Sequence, residues 1–154
     1  MPDLRTWFVV VAVAIILLAV AGFALLSSAP TLTVSEKDDR MRPAIGESAT
    51  DFAIDTSWLD TPKRNAIVAF MPKGTKTPLA GRAVAVAGDR VSIENWKCHV
   101  NGTATESRRR MSVSAAPPTK VPRGCVYILF DKGTGPDSAQ VGPIPLWRVL
   151  GSVN

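Results

Sequence analysis

Histidine and cysteine are scarce in this 154-residue chain, which holds one histidine (His99) and two cysteines (Cys98 and Cys125). A single histidine excludes a His-rich metal site or a His-x-x-x-His zinc motif. Two cysteines are too few for a zinc knuckle or an iron–sulfur cluster, so no metal and no cofactor is expected. No internal repeat of solenoid period and no heptad pattern is visible. Charge is missing altogether from residues 7–26, a block of twenty residues of which nineteen are apolar and the other is Gly22. Outside that block about two residues in five are still apolar, too dense for disorder and enough for one core. The length allows one modest domain.

The uncharged block spans about 30 Å as a helix, the thickness of a bilayer's hydrocarbon core. Trp7 stands at its start, where an interfacial aromatic is favoured. A transmembrane anchor over 7–26, behind a short tail of residues 1–6, is therefore expected. The competing reading is a cleaved secretory signal; such apolar regions usually run 7–15 residues, and this one is longer. Arg5 is offset by Asp3, and Lys37, Arg40 and Arg42 follow the span, so the charge bias is weak. A long C-terminal domain translocates largely regardless of its charge, and two cysteines fit one disulfide in an oxidising compartment. The expected arrangement is a single-pass protein of a bacterial-type inner membrane, with the domain on the periplasmic side.

Residues 27–154 read as mostly β. Short apolar runs at 66–70, 82–87 and 125–130, each bounded by Gly or Pro, suit buried strands. Val91-Ser-Ile93 alternates toward Trp96 and Val100, and Asn101-Gly102 is the strongest short turn signal in the chain. Residues 145–150 suit either a last strand or a helical turn. Residues 103–119 turn polar, with Arg108-Arg109-Arg110 and Pro117-Pro118, and read as a loop or an insertion. Lys and Arg outnumber Asp and Glu by 18 to 13, a net charge of +5. Without interleaved aromatics or a recognition helix, the arginine run points to solvent or anionic lipid head groups rather than nucleic acid.

An ordered series of short boxes over residues 40–151 resembles the type I signal peptidases and the related pilin-processing peptidases of conjugation systems. Met41-x-Pro43 is similar to that family's Ser-Met-x-Pro box, and Asn65-Ala-Ile-Val-Ala-Phe70 to its Gly-Asp-Ile-Val-x-Phe strand. Arg82-Ala-Val-Ala-Val-Ala-Gly-Asp-Arg-Val91 is similar to its Lys-Arg-Val-x-x-x-x-Gly-Asp-x-Val box. Val100-Asn101-Gly102 matches the hairpin that follows. Asp137-Ser138, Gly142-Pro-Ile-Pro145 and Leu150-Gly151 resemble the closing box. The resemblance implies a β-domain behind a membrane anchor and a serine–lysine dyad that cleaves precursor peptides.

The dyad positions depart from that pattern. Arg40 stands where the family has its nucleophilic serine, and Gly81 where it has the general-base lysine. Gly135 stands at a further active-site serine, and Ala139 replaces the arginine after Asp-Ser. A serine hydroxyl attacks only when a neighbouring base takes its proton, and in this family a desolvated lysine does so. Arg40 has no attacking oxygen and stays protonated, while Gly81 offers no functional group. No catalytic residue is therefore assigned, and a pseudoenzyme that binds precursors or assists assembly is expected. Its partners would be the bilayer, a secreted or pilin-like precursor, and an active peptidase or a secretion or conjugation complex. A displaced dyad built from Ser35 with Lys37, or with Lys73 or Lys76, is the alternative reading; a structural subunit of a membrane complex is another.

Arg40, Met41, Pro43, Arg82 and Val84 are the candidate cleft residues, with Arg40 placed to meet a carboxylate or backbone carbonyls of a bound segment. Gly88, Asp89, Arg90, Asp137 and Ser138 are assigned structural roles, Asp89 and Arg90 through a charge-assisted contact at their turn. Cys98 and Cys125 are expected to pair. His99 follows Cys98 on a strand, so the two side chains point to opposite faces. Trp58, Trp96 and Trp147 read as core or membrane-interface residues.

Overall fold

A computed structural model describes residues 11–18, 30–34, 38–42, 44–45, 51–57, 61–105, 107, 110–111 and 115–153. Residues 11–18 are helical (α1), and all but the first expose their side chains. Among the described residues no helix is long and apolar enough to cross a membrane. The rest of the expected span, Trp7 included, lies outside them.

The remainder is built from antiparallel strands. β1 (Thr31–Thr33), β2 (Asp51–Asp55), β3 (Ile67–Phe70), β4 (Leu79–Val86), β9 (Cys125–Leu129), β10 (Ile144–Pro145) and β11 (Val149–Val153) form one sheet, in the order β1-β2-β11-β3-β4-β9-β10. β5 (Arg90–Glu94), β6 (Lys97–Val100), β7 (Thr103–Ala104) and β8 (Ala115–Lys120) form the second, in the order β7-β6-β5-β8. A four-residue helix, α2 (Ser138–Val141), follows β9.

Strand β9 shows how the sequence creates two cores. Val126 and Ile128, with Phe130 beyond them, join a cluster around Leu32, Met41, Phe52, Val68 and Phe70. Cys125, Tyr127 and Leu129 face a second cluster around Val84, Val91, Met111 and Val121. Successive side chains on a strand point to opposite faces, so an unbroken apolar run buries both of its sides. A register shift in β4 between Ala83 and Ala85 lets Ala83 serve the first core and Val84 and Ala85 the second.

The Asn101-Gly102 turn is realised: Val100 pairs with Thr103, and both turn residues have positive φ, 52° and 83°. The region 103–119 is not wholly a loop, because β8 pairs with β5 despite Pro117 and Pro118. It is an edge strand, the position where prolines cost least in ladder hydrogen bonds. The tail satisfies both expectations for it, with a 3-10 turn (Leu146–Arg148) leading into β11. The expected disulfide is absent. Cys98 lies opposite Ile93 in the second sheet and Cys125 opposite Pro145 in the first, and both are free thiols.

Candidate functional site

Arg40 lies in a short turn at residues 40–42, whose path is fixed by the Arg40 carbonyl accepting from Lys132 N–H at 2.8 Å. Its guanidinium forms a two-pronged pair with Asp38. Nε donates to Oδ1 at 2.7 Å and Nη2 donates to Oδ2. The carbon of the same guanidinium lies 4.6 Å from the centroid of the Phe130 ring, a cation–π arrangement. Hydrogen bonding to Arg40 holds the Asp38 carboxyl below its usual range, against the opposing effect of burial. Met41 is buried, and its sulfur accepts from Asp131 N–H at 3.4 Å.

Gly81 sits inside β4 opposite Val68. A Cβ there would lie under 3.0 Å from Cγ2 of Ile128 and 3.0 Å from Cε1 of Phe70. Gly135 is hemmed in likewise: a Cβ would lie 2.6 Å from Cε2 of Phe130 and 2.9 Å from Nη1 of Arg40. Phe70 and Phe130 pack with ring centroids 6.2 Å apart. Positions 40, 81 and 135, distant in sequence, thus converge on one knot of side chains formed by Phe70, Ile128 and Phe130. Apolar groups and the Arg40 guanidinium fill the space between them.

The segment after this knot is fixed by Asp137 and Ser138, both buried. Asp137 accepts from Phe130 N–H at 3.0 Å and caps α2 by accepting from Ala139 N–H at 3.1 Å. Ser138 Oγ accepts from Ile128 N–H at 2.8 Å. Two side chains therefore bind the strand that carries Ile128 and Phe130.

Beside the knot runs a groove of about 220 Å³. One wall is formed by Thr33, Val34, Asp38, Arg40, Met41 and Ile45, the other by the segment from Thr77 to Ala80 that leads into β4. Its lining is mainly apolar, with the Asp38–Arg40 pair among it. Of the residues expected in the cleft, Arg40 and Met41 line this groove and Pro43 lies outside the described residues. Arg82 and Val84 do not line it. Arg82 donates from Nε to Asp131 at 2.8 Å and from Nη1 to the Asn65 carbonyl at 3.1 Å, tying β4 to the chain beyond β9. Val84 is buried in the second core.

The turn between β4 and β5 differs from expectation. Asp89 is bound by Arg64, not Arg90, with Nε of Arg64 donating to Oδ2 at 2.9 Å. Val86 N–H and Asn101 Nδ2 each add a hydrogen bond of 2.9 Å. Gly88 takes φ +95° beside it, while Arg90 is exposed and enters β5. No local pattern marked Arg64, because the two partners are 25 residues apart. His99 Nδ1 lies 3.5 Å from Glu94, whereas Cys98 faces the core. Trp96 packs under Arg110, Trp147 is 75 % exposed beneath Arg148, and Trp58 lies outside the described residues. Among the described residues no group of His, Cys, Asp and Glu is placed to hold a metal ion.

Comparison with known proteins identifies the family. The family model described as signal peptidase, peptidase S26 matches residues 4–154. Solved structures similar to this chain include a signal peptidase I from Enterococcus faecalis, 18 % identical with a TM-score of 0.48, covering 63 % of this chain and 100 % of that one. No curated protein matches. With nearly its whole length matched, the chain belongs to the signal peptidase S26 family.

Proposed function

We propose that this family member holds an extended precursor peptide in the groove beside Arg40 without cleaving it, as a membrane-anchored component of a secretion or conjugation system. The observation that supports this most is the filled knot. Arg40 brings no attacking oxygen. Ile128 and Phe70 take the space of a side chain on Gly81, and Phe130 with Arg40 take that on Gly135. Serine–lysine chemistry needs a hydroxyl and an unprotonated amine within hydrogen-bond reach. Losing such a pair removes several orders of magnitude of rate.

The groove supplies what peptide binding needs. An extended segment gains main-chain hydrogen bonds from a strand edge and specificity from pockets for alternate side chains. Thr33 and Val34 on one side and Leu79 and Ala80 on the other offer extended backbone and apolar walls. The uncharged run at 7–26 supports an anchor that places this groove near a bilayer surface. A displaced dyad gains no such support. Lys73 and Lys76 are exposed in the turn between β3 and β4 and line no part of the groove. Ser35 and Lys37 lie outside the described residues.

The test is incubation of the full-length protein in detergent with a panel of signal-peptide and pilin precursors, read by mass spectrometry and by fluorescence anisotropy. Binding without cleavage, weakened by Thr77→Trp at the groove rim, is expected. Cleavage that Ser35→Ala or Lys37→Ala abolishes would replace this reading with a displaced dyad. Neither binding nor cleavage would favour a structural subunit.

A further inference from the structure

Trp147 is more exposed than any other large apolar side chain among the described residues, yet its turn is firmly held. The Arg148 carbonyl accepts from Met71 N–H at 2.8 Å, and Arg148 Nη1 donates to the Met71 carbonyl at 3.3 Å. The carbon of that guanidinium lies 4.4 Å from the centroid of the Trp147 ring. The 3-10 turn at Leu146–Arg148 and the β3–β4 turn are thereby tied into one tip, with the indole left in solvent. Lys73 and Lys76 are exposed on the same tip. Residues 70–78 and 146–149 contain no acidic residue, so Lys73, Lys76 and Arg148 set its charge. Asp55, at the end of neighbouring β2, accepts from Ser57 N–H at 2.8 Å.

Strand directions place this tip on the side from which the chain enters the domain. Ile54 N–H donates to the Pro30 carbonyl at 2.9 Å, and Ile54 lies opposite Val153. β1 starts, β2 ends, β11 starts and β3 ends toward the same edge, where Val149 pairs with Phe70. Along β11, Val149 stands beyond Val153 in that direction by about 13 Å, at about 3.3 Å per residue. Only residues 27–29 separate the uncharged run from Pro30, a reach of about 14 Å at most. An anchor at 7–26 would therefore bring the bilayer surface to the height of the tip.

We infer that the two turns rest on an anionic bilayer surface, with the Trp147 indole in the interface and Lys73, Lys76 and Arg148 against lipid phosphates. This rests on the anchor proposed above and names the face of the domain that meets the membrane. An indole is favoured at head-group level, where its ring is apolar and its N–H finds an acceptor. Basic side chains gain from the negative potential of such a surface, and their long stems let ring and charge sit at different depths. Lipid is favoured over a protein partner because the short connection to the anchor holds the tip against the surface whether or not a partner is present.

The experiment reconstitutes the full-length protein into vesicles of phosphatidylcholine, alone or with about one third phosphatidylglycerol to supply negative charge. Each is prepared with and without phosphatidylcholine brominated on its acyl chains, which quenches tryptophan. Comparing the parent with Trp147→Phe and with Trp7→Phe assigns the emission of each position. Emission from Trp147 should fall about twofold or more in the anionic vesicles. It should recover when Lys73→Glu and Lys76→Glu are combined, while Trp7 stays quenched throughout. Quenching of Trp7 without quenching of Trp147 would overturn the inference and leave the anchor standing, with the tip facing solvent or a protein. Equal quenching of Trp147 in the two lipid mixtures, or no recovery in the lysine variant, would overturn it as well. Quenching of neither tryptophan would overturn both.

Discussion

Ile128 occupies the space that a side chain on Gly81 would need, its Cγ2 lying under 3.0 Å from where a Cβ would stand. β4 and β9 are neighbours in the sheet, and both residues are in its buried part, so neither backbone gives way easily. Gly81→Ala should cost about 1–3 kcal/mol by overpacking. Ile128→Ala alone should cost about 2–5 kcal/mol by leaving a cavity. The double variant should be more stable than the sum of the two losses predicts, because each change relieves the other. Urea denaturation of the four proteins measures this coupling, and strict additivity would show that the two positions do not compete for space.

The same geometry bears on any attempt to restore the dyad. Arg40→Ser with Gly81→Lys drives a long side chain against Ile128 and Phe70, and it leaves Asp38 without its guanidinium partner. The double variant is expected to melt lower than the parent and to cleave no precursor. Adding Ile128→Ala should recover part of the melting temperature, because it frees the first carbons of the lysine. A double variant that keeps the parent's stability would mean that the strand can shift to admit a side chain at 81.

Asp89 provides a pH dependence of definite sign. Burial works to raise its pKa, but hydrogen bonds from Arg64, Val86 N–H and Asn101 together outweigh it and hold the carboxyl below the ordinary 3.8. The folded state therefore binds this proton less readily than the unfolded chain. The stabilisation is complete above about pH 4 and is lost as pH falls through the lowered value. Asp89→Asn should destabilise the protein by about 1–3 kcal/mol at neutral pH. The gap between parent and variant should narrow steadily below about pH 4. A gap of constant size from pH 7 to pH 2 would mean that the carboxylate's charge does not act at this turn.

Legibility varied with the range of the interaction. The runs at 66–70 and 125–130, and the Asn101-Gly102 turn, were readable because alternation and positive-φ residues are local signals. β8 was hidden by its two prolines, and β2 by a mixed DFAID pattern with no turn signal of its own. The boxes singled out positions 40, 81 and 135, which the fold brings to the side chains of Phe70, Ile128 and Phe130. They could not reveal that Ile128, Phe70 and Phe130 fill the room between them, since packing is a property of side chains brought together from β3, β9 and the turn at 40. Arg64 as the partner of Asp89, 25 residues away, was invisible for the same reason.

The two cysteines separate a correct placement on strands from a wrong pairing. Both lean on the second core, but the strands that carry them belong to different sheets and neither pairs with the other. Burial pushes the Cys98 thiol up to about 11. At pH 8 only about one molecule in a thousand then carries the nucleophilic thiolate. Cys125 is only half-buried, so a reagent reaches its sulfur more readily. Titration of the folded protein with a thiol-specific disulfide reagent at pH 8 should modify Cys125 first and Cys98 only slowly, with both reacting at once in denaturant. Addition of a reductant should leave the melting temperature unchanged. Fewer than two reactive thiols in denaturant, or a melting point that falls on reduction, would restore the disulfide and require the two sheets to approach more closely at these strands.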